Sequence, residues 1–251
     1  MKFTSKVLCT LALSLLSSAS ARAAPLHAYR SVGSSTVLSQ GSTGPNAASI
    51  TNGVAIFTNA LPDNIGLGDA FQYDSDGNGS IDKIAFITYR HSSREYTVRT
   101  ATGAQPTMGT GGDQDWSIYR AYTSLALAEA GTENTSIAAG VVNFDSGAID
   151  LTAAMAGSGM IWSLALYADA AITTGVTIDG WTTSSSAYFS ILAPNESWQV
   201  GTPQGHVGVW DASKARITVT SGSAFAISIL DKYVRIEGLQ IQYDDNAASG
   251  D

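Results

Sequence analysis

The sequence holds a single cysteine, Cys9, and it lies inside the leading apolar stretch. A chain cut behind that stretch keeps no thiol, so no disulfide can hold it together. Histidine is almost as scarce. His27, His91 and His206 are far apart and match no His-Glu-x-x-His spacing, which argues against a catalytic zinc. No Gly-x-Ser-x-Gly elbow is present, and "GLGDAF" and "GTGGDQD" both miss the glycine pattern of a dinucleotide loop. No apolar run reaches the roughly 20 residues of a membrane-spanning helix. Basic residues are few, 13 Lys and Arg against 21 Asp and Glu. A surface with that balance repels nucleic acid, which is excluded as a partner.

What stands at the start is a recognisable address. Lys2 and Lys6 precede an apolar stretch from Val7 to Leu16, followed by small residues ending in Ala21-Arg22-Ala23. This is the layout of a secretory signal peptide over residues 1–23, and it predicts a secreted or cell-surface protein. Its removal leaves 10 basic and 21 acidic side chains, a net charge near −11. Of the acidic residues, 16 are Asp and only 5 are Glu, a bias toward turns and cation loops rather than helix surfaces. With 25 Gly and little Lys or Glu, the composition predicts an all-β protein.

Two regions are expected. Residues 24–112 read as a small β-rich N-terminal region, with strands at "GVAIFTNAL", "AFQY" and "KIAFITYR". In "REYTVRTATG", Tyr96, Val98 and Thr100 alternate with Thr97, Arg99 and Ala101. Residues 113–251 begin with a short helix in "YTSLALAEAG", which Thr123 or Ser124 can cap, Gly131 can stop, and whose leucines, Leu125 with Leu127 as a second, must cover something. Short apolar runs follow at intervals of about ten residues, as in a sandwich, barrel or solenoid. "GVTIDGWT" and "YVRIEGLQI" share the form Val-x-Ile-acid-Gly.

"YTSLALAEAG", "VTIDGWTT", "GHVGVWD" and "YVRIEGLQI", in that order, resemble the entry region of secreted bacterial right-handed parallel β-helix proteins of the pectin-lyase-like group. The resemblance implies a capping helix and the first coils of a β-helix solenoid, with the chain ending early as a fragment would. It also implies two functions: a scaffold for adhesion or glycan binding, or a polysaccharide lyase or glycosidase whose catalytic coils lie beyond Asp251. Lys232, Arg235, Asp244 and Asp245 flank one strand and read as turn and surface charges. No residue is therefore assigned a catalytic role.

The sharpest local signal is "DSDGNGSID", three aspartates, one asparagine and two glycines in nine residues. Asp74, Asp76 and Asn78 sit at positions one, three and five of a calcium loop, Gly79 at the sharp turn, the Ser80 carbonyl at seven and Asp82 at nine. Position twelve is Ala85 rather than the bidentate Glu of an EF-hand, so a missing ligand must come from elsewhere, such as Asp69 or water. A metal-free hairpin is the competing reading. Calcium bound by Asp74, Asp76, Asn78, Ser80 and Asp82 is expected as a structural cofactor. Among the five tryptophans, Trp198 and Trp210 lie in turn-rich text and are the candidates for stacking on a polysaccharide or surface glycan.

Overall fold

The computed structural model describes residues 25–42, 44–109, 114–154, 158–220 and 225–244. The expected signal peptide lies outside the described residues. In chain order the first strands are β1 (Leu26–Val32), β2 (Ser39–Gly41), β3 (Ala48–Thr51), β4 (Val54–Phe57), β5 (Ala70–Tyr73), β6 (Lys83–Arg90), β7 (Glu95–Arg99) and β8 (Trp116–Tyr119). The short helix α1 (Leu125–Glu129) follows. Then come β9 (Met160–Leu166), β10 (Val176–Ile178), β11 (Phe189–Leu192), β12 (Arg216–Thr220), β13 (Ile227–Ile229), β14 (Val234–Glu237) and β15 (Gln240–Asp244). The protein is all-β. No helix of the described residues is long and apolar enough to cross a membrane.

Seven strands form one antiparallel sheet in the order β2-β8-β5-β6-β7-β4-β3. Alternation decides which side chains enter it: Tyr96 and Val98 of β7 are buried while Thr97 and Arg99 between them are not. The edge strands β2 and β3 are joined through a 3-10 turn, Gly44–Asn46, and the Trp116 indole N–H donates to the Asn46 carbonyl at 2.8 Å. The sheet thereby curls into a nearly closed barrel. Its interior is aromatic: Phe57 lies 5.2 Å from Phe71, 4.9 Å from Trp116 and 5.8 Å from Tyr96, tilted or edge-on as ring quadrupoles prefer.

The remaining strands form parallel sheets, one in the order β1-β9-β11-β14 and two pairs, β10-β13 and β12-β15. Trp162, Leu164, Ile178, Phe189, Ile191 and Ile217 fill the core between them. Helix α1 starts as its sequence requires, with the Ser124 hydroxyl accepting the Leu127 N–H at 3.1 Å. Leu125 and Ala128 are buried, whereas Leu127 is exposed. Both kinds of sheet draw strands from both sides of residue 112, since β8 joins the antiparallel sheet and β1 pairs with β9.

This architecture overturns the resemblance to pectin-lyase-like β-helix proteins, and with it the expected start of a solenoid. The parallel sheets hold only four, two and two strands, and the largest sheet is antiparallel. The two Val-x-Ile-acid-Gly segments are not stacked on one another. Val176 to Ile178 pairs with β13 in one sheet, while Val234 to Glu237 pairs with β11 in another. What they share is a strand that ends at a glycine in the left-handed region, Gly180 at φ 88° and Gly238 at φ 68°. The motif therefore encodes a way to end a strand, not a coil repeat.

Two buried arginines join the barrel to the parallel sheets. Arg30 of β1 grips Asp145 through two nitrogens, at 2.7 and 2.8 Å, and lies 3.6 Å above the Phe86 ring. The Tyr122 hydroxyl donates to the same carboxylate at 2.6 Å. Arg120 donates to Asp69 at 2.6 Å, to Asp169 at 3.2 Å and to the Asn64 carbonyl at 3.1 Å, and covers the Tyr167 ring at 3.4 Å. Bidentate, ring-stacked guanidinium groups suit such sites because each donor is used in a fixed plane. Between the two arginines, Gly68 brings loop and strand together: its carbonyl accepts the Ser31 N–H at 2.9 Å and its own N–H reaches Ile87 at 2.8 Å.

Candidate functional site

The acidic segment 74–82 is the connection of the β5–β6 hairpin, with Tyr73 paired to Lys83. Asp74 organises it. One carboxylate oxygen accepts N–H groups from Asp76 and Gly77 at 3.0 and 2.9 Å, and the other accepts Gly79 at 2.6 Å. Asp76 accepts the Asn78 N–H at 3.2 Å, and Asn78 accepts the Ser80 N–H at 2.9 Å. Three alternate side chains, Asp74, Asp76 and Asn78, thus fold back on the backbone two residues ahead, which curls the loop. Gly77 and Gly79, at φ 78° and 80°, take the left-handed steps.

Asp74 is covered by its own loop rather than by the protein interior. Loss of hydration raises its carboxyl, but the Gly79, Gly77 and Asp76 N–H groups and the adjoining Asp76 carboxyl outweigh this and hold it below the usual carboxylate range. Asp82 turns to Ser75, accepting its N–H at 2.7 Å and its hydroxyl at 2.8 Å, and pairs with Lys83 at 3.1 Å. Its carboxyl is likewise lowered: desolvation raises it, and the Ser75 and Lys83 contacts prevail. Asp69 cannot serve as the missing ligand, being fully buried against Arg120. Among the described residues, no three His, Cys, Asp or Glu side chains converge as a metal-holding group. The loop brings Asp74, Asp76, Asn78 and Ser80 into one curl and directs Asp82 to Ser75.

Beside the loop, Gln40, Asn46, Ile81, Asp115 and Trp116 line an open cleft of about 600 Å³. The Asp115 carbonyl accepts the Asp74 N–H at 2.8 Å, which ties the cleft wall to the loop.

On another part of the barrel the structure gathers aromatic rings at the surface. Trp198 and Tyr89 stack at 5.7 Å between centroids with 21° between planes, and Tyr89 lies 4.6 Å from His91. Tyr89 is 42% exposed, and the His91 Nε2 is 2.8 Å from the Thr97 hydroxyl. A β-bulge makes this row. Ile87 pairs with Val98, but the next pairs are Tyr89 with Thr97 and Arg90 with Tyr96, so Thr88 is skipped. Without the extra residue Tyr89 would oppose buried Tyr96 and point into the barrel; with it, Tyr89 shares the outer face with Thr97. The Arg90 N–H donates to the Trp198 carbonyl at 2.7 Å, and the Leu67 N–H to Gln199 at 2.8 Å, which fixes the tryptophan's segment against the barrel.

Of the two tryptophans expected from the sequence to stack on a ligand, Trp198 is half-buried in this row. Trp210 stands apart in an exposed loop beside Val207 and Val209, with no ring contact among the described residues. Sequence reasoning missed Tyr89 and His91, because strict alternation along β6 sends Tyr89 inward. Comparison with protein-family models, with curated proteins and with solved structures finds no match to this chain.

Proposed function

We propose that the protein is an exported all-β scaffold that binds a glycan, with sugar rings stacking on the row Trp198, Tyr89 and His91. The observation that carries this reading is the bulge at Thr88, which spends a strand irregularity to turn an aromatic ring to the surface beside a second one. Bulges that re-aim a side chain recur next to binding sites. Aromatic faces offer apolar area to the C–H face of a pyranose, and the neighbouring Arg90–Asp63 pair and Thr97 hydroxyl supply polar partners for its hydroxyls. An open row suits an extended polymer better than an enclosed small molecule. The net charge, −8 for the whole sequence and near −11 once residues 1–23 are removed, disfavours acidic polysaccharides, so the ligand is a neutral glycan.

Calcium belongs to the same proposal as a stabiliser of the 74–82 hairpin. In support, the Asp74 and Asp76 carboxyl groups adjoin, and Asn78 and the Ser80 carbonyl follow on the same curl. Asp82 would have to leave Ser75 to join them.

Affinity electrophoresis against a panel of soluble neutral polysaccharides tests the glycan site. At least one should retard the wild-type protein, Tyr89→Ala and His91→Ala should each weaken retardation by about tenfold, and Trp210→Ala should not. A protein retarded by none of them, or variants retarded like the wild type, would remove the basis for this reading.

A further inference from the structure

We infer that β14 is a self-pairing edge through which two copies of this chain form a two-fold dimer. Among the described residues each parallel sheet ends on its latest strand: β14 closes the four-stranded sheet, β13 follows β10, and β15 follows β12. These three strands follow one another within one short stretch of chain, Ile227 to Asp244. That stretch exposes apolar side chains. Ile229, Leu230, Tyr233, Ile236 and Ile241 are all exposed, Leu230 at 65% and Tyr233 at 52%. A contiguous apolar surface on bare strand edges is what proteins normally cover.

The pattern on β14 specifies the occupant. Val234 and Ile236 pair with buried Phe189 and Ile191 of β11, so they face the core, and Arg235 and Glu237 stand on the outer face. In an antiparallel pair related by a two-fold axis at Ile236, Ile236 meets its own copy. Arg235 then faces Glu237 of the second copy, and Glu237 faces its Arg235. Both charges find opposites in one step on one face. Registers centred on Arg235 or on Glu237 place like charges opposite each other and are disfavoured. Arg235 is already oriented, with its guanidinium 3.7 Å above the Tyr188 ring and bonded to the Tyr188 hydroxyl at 2.8 Å. Tyr233, directly before the strand, holds a left-handed φ of 51° that a bulky side chain rarely adopts, and it is exposed.

The opposite edge of the sheet explains why the assembly closes at two. That edge is β1, whose residues from Ala28 to Val32 are buried against the barrel, with the Ser31 N–H bonded to Gly68. A head-to-tail contact of β14 with a neighbour's β1 is therefore blocked, so this sheet cannot propagate as a filament. The isologous contact of β14 with β14 is the one this sheet leaves open among the described residues.

Sedimentation equilibrium of the purified chain over a range of concentrations tests the inference. The wild type should be dimeric, and Glu237→Arg, which sets Arg against Arg at both symmetry-related positions, should weaken dimerisation by roughly tenfold or more. The double exchange Arg235→Glu with Glu237→Arg restores opposite charges in the same register and should restore the dimer. A wild type that stays monomeric at the highest soluble concentration overturns the inference. So does a dimer indifferent to Glu237→Arg, or one that the double exchange fails to recover.

Discussion

Replacing Arg120 with methionine should strike the joint between barrel and parallel sheets at its most expensive point. The guanidinium is wholly buried and is the cationic partner of Asp69, whose carboxylate is also wholly buried. Once it is gone, Asp69 retains the Gly66 N–H at 2.9 Å and the Ser31 hydroxyl, and no other ion pair among the described residues. Asp169, 20% exposed, can turn to water and adds little. Breaking one side of a buried pair costs about 3–5 kcal/mol, which for a chain of this size is a fall in Tm of about 10 °C or more.

The dependence on pH is the sharper part of this test. Burial pushes the Asp69 carboxyl up to about 6, against the pull of Arg120 and the Gly66 N–H. Because the folded carboxyl holds its proton more tightly than the unfolded chain does, this contribution is complete below the unfolded value near 3.8. It disappears as pH rises through about 6, a span of roughly 3 kcal/mol. Without Arg120 the carboxyl rises further, so Arg120→Met should lose more stability near pH 7.5 than near pH 5, where Asp69 can take up a proton. Adding Asp69→Asn removes the unpaired charge and should return much of the loss at the higher pH. Urea unfolding followed by tryptophan fluorescence at the two pH values measures all three. A loss below about 1 kcal/mol, or one equal at both pH values, refutes the reasoning.

Two further perturbations bear on other parts of the molecule. Gly68→Ala places a methyl group 2.5 Å from the Arg30 carbonyl carbon and 2.6 Å from the Ser31 nitrogen, at a φ of +84°. It should cost about 2 kcal/mol in thermal unfolding, and an unchanged Tm would show that β1 is not held where described. Millimolar calcium should raise the melting temperature of the wild type and leave that of Asp76→Ala where it was. If the wild type melts identically with and without the ion, the hairpin is sustained by its own hydrogen bonds alone.

The sequence made some of this legible for physical reasons that can be named. Glu95 to Arg99 shows strict alternation because one face packs in the barrel and the other meets solvent. The residues of α1 carry their cap in Ser124. The 74–82 segment sits between strands because its side chains write the turn themselves. Strand β1 was not legible, since Arg30 stands inside it, and a charge at that position looks exposed until Asp145 and Phe86 are seen around it. Nor was the outward turn of Tyr89, because one skipped residue reverses the parity of everything after it. Strand pairing by parallel or antiparallel partners leaves little mark on short apolar runs, so the runs after residue 160 fitted several β architectures equally well.

The pairing of β1 with β9 also sets an order of events. Leu26 to Val32 is made first among the strands, yet its partner, Met160 to Leu166, is made only after the whole antiparallel sheet. A chain emerging N-terminus first can complete the barrel from residues 39–119 while β1 waits with Arg30 unmatched. Capture of that waiting strand is then a late, long-range closure, the slow kind of contact. The N-terminal segment behaves as a latch whose catch arrives last, and the molecule gains its rigid connection between halves only when that latch is thrown.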